Sequence, residues 1–139
     1  MVSKQKFFRS MALSDNQAKH PINSDGFLSS LRFANAGILA AIQTERNLRI
    51  QMTVAIIIII VGIVVKLEVS EWLWLFLAIA LVLIAELLNT VIETLVDLIT
   101  RQQFHLLAKR AKDIGAGISL LAAIFSIIIG LLIFVPKFL

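Results

Sequence analysis

The 139-residue chain contains no cysteine, which excludes a disulfide framework and any thiolate metal site. It also lacks a Walker A phosphate loop. Gly115-Ala116-Gly117 is too short to cradle phosphates, so a nucleotide site would need another architecture. Residues 1–22 hold no apolar run long enough for the core of a signal peptide. They are polar and basic (Lys4, Lys6, Arg9, Lys19), with Phe7-Phe8 as an apolar pair. This composition predicts a flexible cytoplasmic tail over 1–22, with Phe7-Phe8 able to touch a membrane surface.

What the chain does have is hydrocarbon. Hydrophobic residues make up 59% of it and the mean hydropathy is +0.93. A soluble domain of this size would not carry so much apolar surface, so the class is all-α integral membrane. The net charge is +4, and its distribution is more informative than its size. Eleven of the thirteen Lys and Arg lie before residue 51 or within 101–113, outside the apolar segments. Headgroup-facing or cytoplasmic flanks account for this basic charge, and no nucleic acid is needed to explain it. By the positive-inside rule the N-terminus and residues 101–113 are cytoplasmic, and Lys66–Glu71 and the C-terminus are outside. The expected location is the cell membrane, multi-pass.

In chain order, Asn23-Ser24-Asp25 is a helix start. Phe27, Leu31, Ala34, Ile38, Ala41 and Ile42 then recur at helical spacing, which predicts an amphipathic interfacial helix over about 25–47. Three spans follow, over about 49–67, 71–100 and 114–135. A short turn after Lys66 joins the first two. Residues 101–113 form a loop, and Pro136-Lys137 stops the last span. Trp72 and Trp74 sit where aromatic belt residues belong. Ala122, Ser126 and Gly130, spaced four apart, suit close helix contact. Residues 23–139 read as a single membrane domain.

The second span is anomalous. It carries Glu86, Asn89, Glu93 and Asp97. At about 100° per residue the three carboxylates fall within roughly 40° of one another, with Asn89 about 60° to one side. Ionised groups at membrane depth cost several kcal/mol unless compensated, so such a stripe is a functional hypothesis by default. A proton or a divalent cation would compensate it. The topology brings Glu45, this stripe, Phe104-His105 and Lys112-Asp113 to one membrane face. Carboxylates from two elements with a nearby lysine suit Mg²⁺ and phosphate.

Glu86-x-x-Asn89-x-x-x-Glu93-x-x-x-Asp97, followed by Ala108-Lys109-Arg110-Ala111-Lys112-Asp113, resembles the signature of the prokaryotic membrane-integral diacylglycerol kinase and undecaprenol kinase family. Glu45-Arg46-Asn47, the interfacial helix and the three spans extend the likeness over about residues 24–135. The Glu-Arg-Asn junction, the length of the Asp97–Asp113 connection and the ending Phe134-Val135-Pro136-Lys137 are closer to the Gram-positive undecaprenol kinase branch. The resemblance implies ATP with Mg²⁺ as phosphoryl donor and a lipid alcohol, undecaprenol or diacylglycerol, as acceptor. It implies Glu86 as general base and Asn89 as the group that orients the hydroxyl or the γ-phosphate. Glu45 and Glu93 match the metal-binding glutamates. Lys112 would neutralise phosphate, with Asp113 steadying it or a metal, and Phe104 and His105 would meet the nucleotide. A homotrimer with sites between neighbouring subunits is likewise implied.

Two competing functions come from other classes. A small ion or proton transporter would use Glu86 and Glu93 as a relay, but it would need polar groups through the full bilayer depth. Here they crowd the cytoplasmic half. The other is a non-catalytic subunit of a membrane complex; the basic segment with Lys112-Asp113 beside the acidic stripe favours phosphate chemistry instead.

Overall fold

The computed structural model describes residues 26–139. The expected tail over 1–22 and the helix start at Asn23-Ser24-Asp25 lie outside the described residues. The described residues form four helices and no strand: α1 (Gly26–Thr44), α2 (Arg46–Val64), α3 (Val69–Thr100) and α4 (Leu106–Phe138). The chain divides into two units, one ending at Thr44 and the other running from Glu45 to Leu139.

Helix α1 closes its first turn with side chains. The Ser29 and Ser30 hydroxyls both donate to the Gly26 carbonyl. At its far end Thr44 donates to the Ala40 carbonyl, and Glu45 then takes an extended conformation (φ −99°, ψ 116°) that ends the helix.

In the second unit, α2 ends in a Schellman motif. Lys66 takes the left-handed conformation (φ 55°), its N–H returns to the Ile63 carbonyl, and the Leu67 N–H returns to the Gly62 carbonyl. The hydrophobic contact that accompanies this motif falls on Gly62 itself. A Cβ there would stand 2.9 Å from Leu67 Cδ1 and 3.0 Å from the Trp72 ring. Gly62 is therefore what lets the turn fold back so closely. Leu67, Leu75 and Ile133 form the core at this end, with Trp72, Ile129 and Phe134 packed around them.

Helices α3 and α4 make the more extensive pair and run antiparallel. The face of α4 that meets α3 is lined by small residues. Gly115 lies against Asn89, Ser119 Oγ donates to the Ala85 carbonyl at 3.1 Å, Ala122 is buried, and Ser126 Oγ donates to the Ala78 carbonyl at 2.9 Å. Small side chains let the backbones approach, and the two serines find acceptors where no water competes. Of the stripe Ala122, Ser126 and Gly130, the first two face α3, while a Cβ on Gly130 would meet nothing.

Two expectations about this pair are corrected. The connection after α3 is a short turn over 101–105, not a loop over 101–113, because α4 begins at Leu106. Charge does not stop a helix, and 106–113 contains neither glycine nor proline. The His105 side chain caps the new start by accepting the Leu107 N–H at 3.2 Å. Pro136 does not end α4, which continues to Phe138. In a last turn a proline forfeits few backbone bonds. Lys137, in that turn, is tied to Glu71 at the start of α3 at 2.9 Å.

Helices α2, α3 and α4 are each long and apolar enough to cross a bilayer. Their outward faces expose large apolar residues throughout, including Ile57, Ile60, Phe76, Leu81, Leu121 and Phe125. A water-soluble protein does not sustain apolar surface on that scale, whereas lipid tails cover it without cost.

Candidate active site

The 32 residues of α3 extend about 48 Å, well beyond a hydrocarbon core of about 30 Å. The acidic stripe is thus spread along the axis, and each member has its own surroundings. Glu86 is buried, with 4% of its surface exposed. Its carboxylate oxygen Oε2 accepts a hydrogen bond from Gln51 Nε2 of α2 at 3.2 Å. One turn on, Asn89 is 8% exposed. Its Nδ2 donates to Glu93 Oε1 at 3.1 Å, an i,i+4 contact along the helix. Its Oδ1 is directed at the backbone of α4, where a Cβ added to Gly115 would stand 2.6 Å away. No residue other than glycine fits there with Asn89 in this rotamer. Glu93 itself is half-buried.

At the wetter end, Asp97 Oδ1 accepts from Lys112 Nζ of α4 at 2.5 Å. The main-chain carbonyl of Asp97 also receives the N–H groups of Arg101 and Gln102. Both of those residues are left-handed (φ 52° and 63°), and together they reverse the chain so that α4 returns alongside α3. Asp97 therefore fixes the turn through its backbone and Lys112 through its side chain.

Asp113 does not pair with Lys112; it binds Lys109 on its own helix, at i,i+4. Phe104 projects outward, 83% exposed. His105 is engaged as the cap of α4, with Nδ1 as acceptor, so Nε2 carries the ring proton. Glu45 is half-buried at the start of α2, and its side chain does not cap that helix.

The arrangement thus joins Glu86 to Gln51, Asn89 to Glu93 and Asp97 to Lys112, and sets Asp113, Phe104 and His105 apart from these pairs. Among the described residues no three His, Asp or Glu side chains stand close enough to hold a metal by themselves. That donor set is too sparse for a dedicated all-protein cage. It suits Mg²⁺, which takes one or two carboxylates and completes its shell with water and phosphate oxygens.

Two participants carry no motif in the sequence. Gln51 stands at the start of an apolar span, where an amide is unremarkable until its partner is known. Its one signal is that it is the sole amide over 49–67. Gly115 reads in the sequence only as part of Gly115-Ala116-Gly117, which is too short for a phosphate loop. Its role depends on how α4 lies against α3, which no motif in the sequence carries.

Comparison with known proteins identifies the family. Residues 32–134 match the family model described as prokaryotic diacylglycerol kinase. The chain is similar to a diacylglycerol kinase from Synechocystis sp., 40% identical over 128 residues, covering 88% of this chain and 73% of that protein. It is also similar to an undecaprenol kinase from Bacillus subtilis, 46% identical over 111 residues, covering 80% of this chain and 89% of that protein. The buried acidic stripe on a membrane helix, the cation facing it from α4, and these matches together place the chain in the prokaryotic diacylglycerol kinase family, as a lipid kinase.

Proposed function

We propose that this lipid kinase transfers the γ-phosphoryl group of ATP, with Mg²⁺, to the primary hydroxyl of undecaprenol. The observation that carries the reading is the ordered depth of the stripe: a buried Glu86, a half-buried Glu93 braced by Asn89, and Lys112 held at the rim by Asp97. Undecaprenol is preferred over diacylglycerol because the undecaprenol kinase relative has the higher identity and shares more of its own length with this chain.

In this reading Glu86, away from water, accepts the proton of the lipid hydroxyl as the oxygen attacks the γ-phosphorus and ADP departs. Asn89 orients the hydroxyl or the γ-phosphate while holding Glu93. Glu93 and Glu45 hold the metal, and Lys112 neutralises phosphate charge. When bound, Mg²⁺ supplies charge neutralisation on the phosphates. Asp113, Phe104 and His105 meet the nucleotide from the rim. Residues 23–139 act as one membrane domain with α1 as its interfacial helix, the N-terminus cytoplasmic and the site at the cytoplasmic face. The working form is a homotrimer whose sites are completed between neighbouring subunits.

The test is phosphoryl transfer in detergent, with Mg²⁺ and ATP labelled at the γ-phosphate, offering undecaprenol and diacylglycerol in parallel. Label on undecaprenol at the higher kcat/KM is expected. Label on diacylglycerol alone would reassign the acceptor, and label on neither would overturn the reading. Glu86→Gln and Glu93→Gln should each lower kcat by at least about 10², since a positioned base alone contributes about 10²–10⁴.

A further inference from the structure

Among the described residues, two buried side-chain atoms have no hydrogen-bond partner, Gln51 Oε1 and Asn89 Oδ1. Both belong to amides whose nitrogen is committed to a carboxylate: Gln51 to Glu86, and Asn89 to Glu93. The Asn89 oxygen is pressed against the α4 backbone at Gly115. The Gln51 oxygen is likewise buried, on the amide that binds Glu86. A buried acceptor left unmatched costs more than an ordinary hydrogen bond contributes, so its persistence calls for a donor that arrives at some stage of the working cycle.

The chemistry of the neighbouring group identifies that donor. Gln51 Oε1 is bonded to the same carbon as the nitrogen that touches Glu86, so a turn of the amide can set it against the same carboxyl group. An ionised carboxylate only accepts, and it takes the amide N–H. A protonated carboxyl acquires an O–H, and that O–H needs an acceptor. A primary amide and a carboxylic acid satisfy each other through two parallel bonds, N–H to carboxyl oxygen and carboxyl O–H to amide oxygen. The first of these exists in the structure, at 3.2 Å. The second would form when Glu86 takes a proton.

We propose that Gln51 is a positioning residue for phosphoryl transfer: its amide holds the Glu86 carboxylate before the proton moves and seats the Glu86 proton afterwards. This rests on the reading of Glu86 as general base. The balance is simple. The lipid O–H bond breaks, its proton passes to a Glu86 oxygen, and the lipid oxygen forms its bond to phosphorus as the bond to ADP breaks. Gln51 gains and loses no atom, and only its second hydrogen bond changes. An amide suits the task because it can partner both charge states of the base without titrating. It also ties α2 to α3 at the depth of the reaction, where α2 offers no other polar side chain between Arg49 and Thr53.

The experiment is a double-mutant cycle on the full chain in detergent, with Mg²⁺, ATP and undecaprenol (diacylglycerol if that proves the acceptor). Gln51→Met keeps the length and removes both donor and acceptor. It should lower kcat about ten- to hundred-fold with KM for ATP within about twofold, the size expected from unmaking a hydrogen bond to a buried charged group. In a Glu86→Gln background the same change should cost nothing further, because the effect acts through Glu86. Gln51→Asn keeps the amide but withdraws it by one methylene. It should behave like Gln51→Met, and it covers the case in which the methionine variant fails to fold. In infrared difference spectra, the protonated carboxyl band that Glu86→Gln abolishes should move to higher frequency in either variant. Equal losses in both backgrounds would overturn the proposal, as would wild-type kcat in Gln51→Asn. Undiminished transfer in Glu86→Gln alone would instead overturn the base reading and this inference with it.

Discussion

The α3–α4 pair carries charge at both ends, and the two ends treat it differently. Where α3 begins and α4 finishes, one oxygen of Glu71 receives the Glu68 N–H at 2.7 Å and the Lys137 ammonium at 2.9 Å. An apolar cluster of Leu67, Leu75 and Ile133 packs nearby. Neither of the two unmatched buried atoms is here. At the opposite end, Glu86, Asn89, Glu93 and Asp97 meet Gln51, Lys112 and Gly115, and both unmatched oxygens lie among them. One end is complete as it stands. The other is held in order with bonding capacity in reserve, as expected of a site whose partners are substrate hydroxyl, proton and phosphate.

The contrast is sharpest at two glycines. Both sit at close approaches, Gly62 against Leu67 and Trp72, and Gly115 against Asn89 Oδ1. Alanine at 115 must displace the Asn89 amide, and Asn89 cannot rotate without releasing Glu93. Gly115→Ala should therefore lower kcat about tenfold, roughly the cost of a hydrogen bond to a charged group. Alanine at 62 crowds a purely apolar contact. It should lower stability by about 1–3 kcal/mol, the usual penalty of overpacking, and leave kcat unchanged. Thermal unfolding and label transfer measured side by side on the two variants would check this. Exchanged outcomes would dissolve the distinction between the ends.

A smaller effect is expected at the rim. Asp97 and Lys112 are partly exposed, with side chains 44% and 37% accessible, so solvent screens the pair. Asp97→Asn should raise KM for ATP about two- to fivefold with kcat nearly constant, in keeping with an ion pair of this exposure. In a Lys112→Met background it should add little, and a large additional loss there would show that Asp97 does more than hold Lys112.

Much of this was legible in the sequence, for identifiable reasons. Hydropathy fixes three apolar helices because a bilayer demands their length, and the spacing of Glu86, Asn89 and Glu93 places them together because a helix has one period. What escaped was decided between helices. The Lys112 partner is Asp97 and not Asp113, because the turn over 101–105 brings α4 back opposite Asp97, while Asp113 points along its own helix to Lys109. The loop expected over 101–113 shrinks to 101–105 because charge alone does not stop a helix. Gln51 and Gly115 carry no local signature, since one matters through a partner on α3 and the other through the side chain it leaves room for.

The smallest expected effect lies at the complete end. Lys137 is three-quarters buried against Glu71, and its pairing crosses from the last turn of α4 to the first turn of α3. The Glu68 N–H already satisfies the same carboxylate oxygen, and the ammonium can reach water or lipid headgroups when released. Lys137→Met keeps most of the side chain's apolar volume, so packing against the cluster survives. The loss of stability should therefore be small, and transfer to the lipid should remain within about twofold of wild type because none of the reacting groups touches Lys137. Unfolding in detergent at two salt concentrations separates the contributions: the wild type should lose its small advantage at high salt, and the variant should not respond. A tenfold fall in kcat would mean that the two ends are coupled through α3, and the division between a closed end and a working end would have to be abandoned.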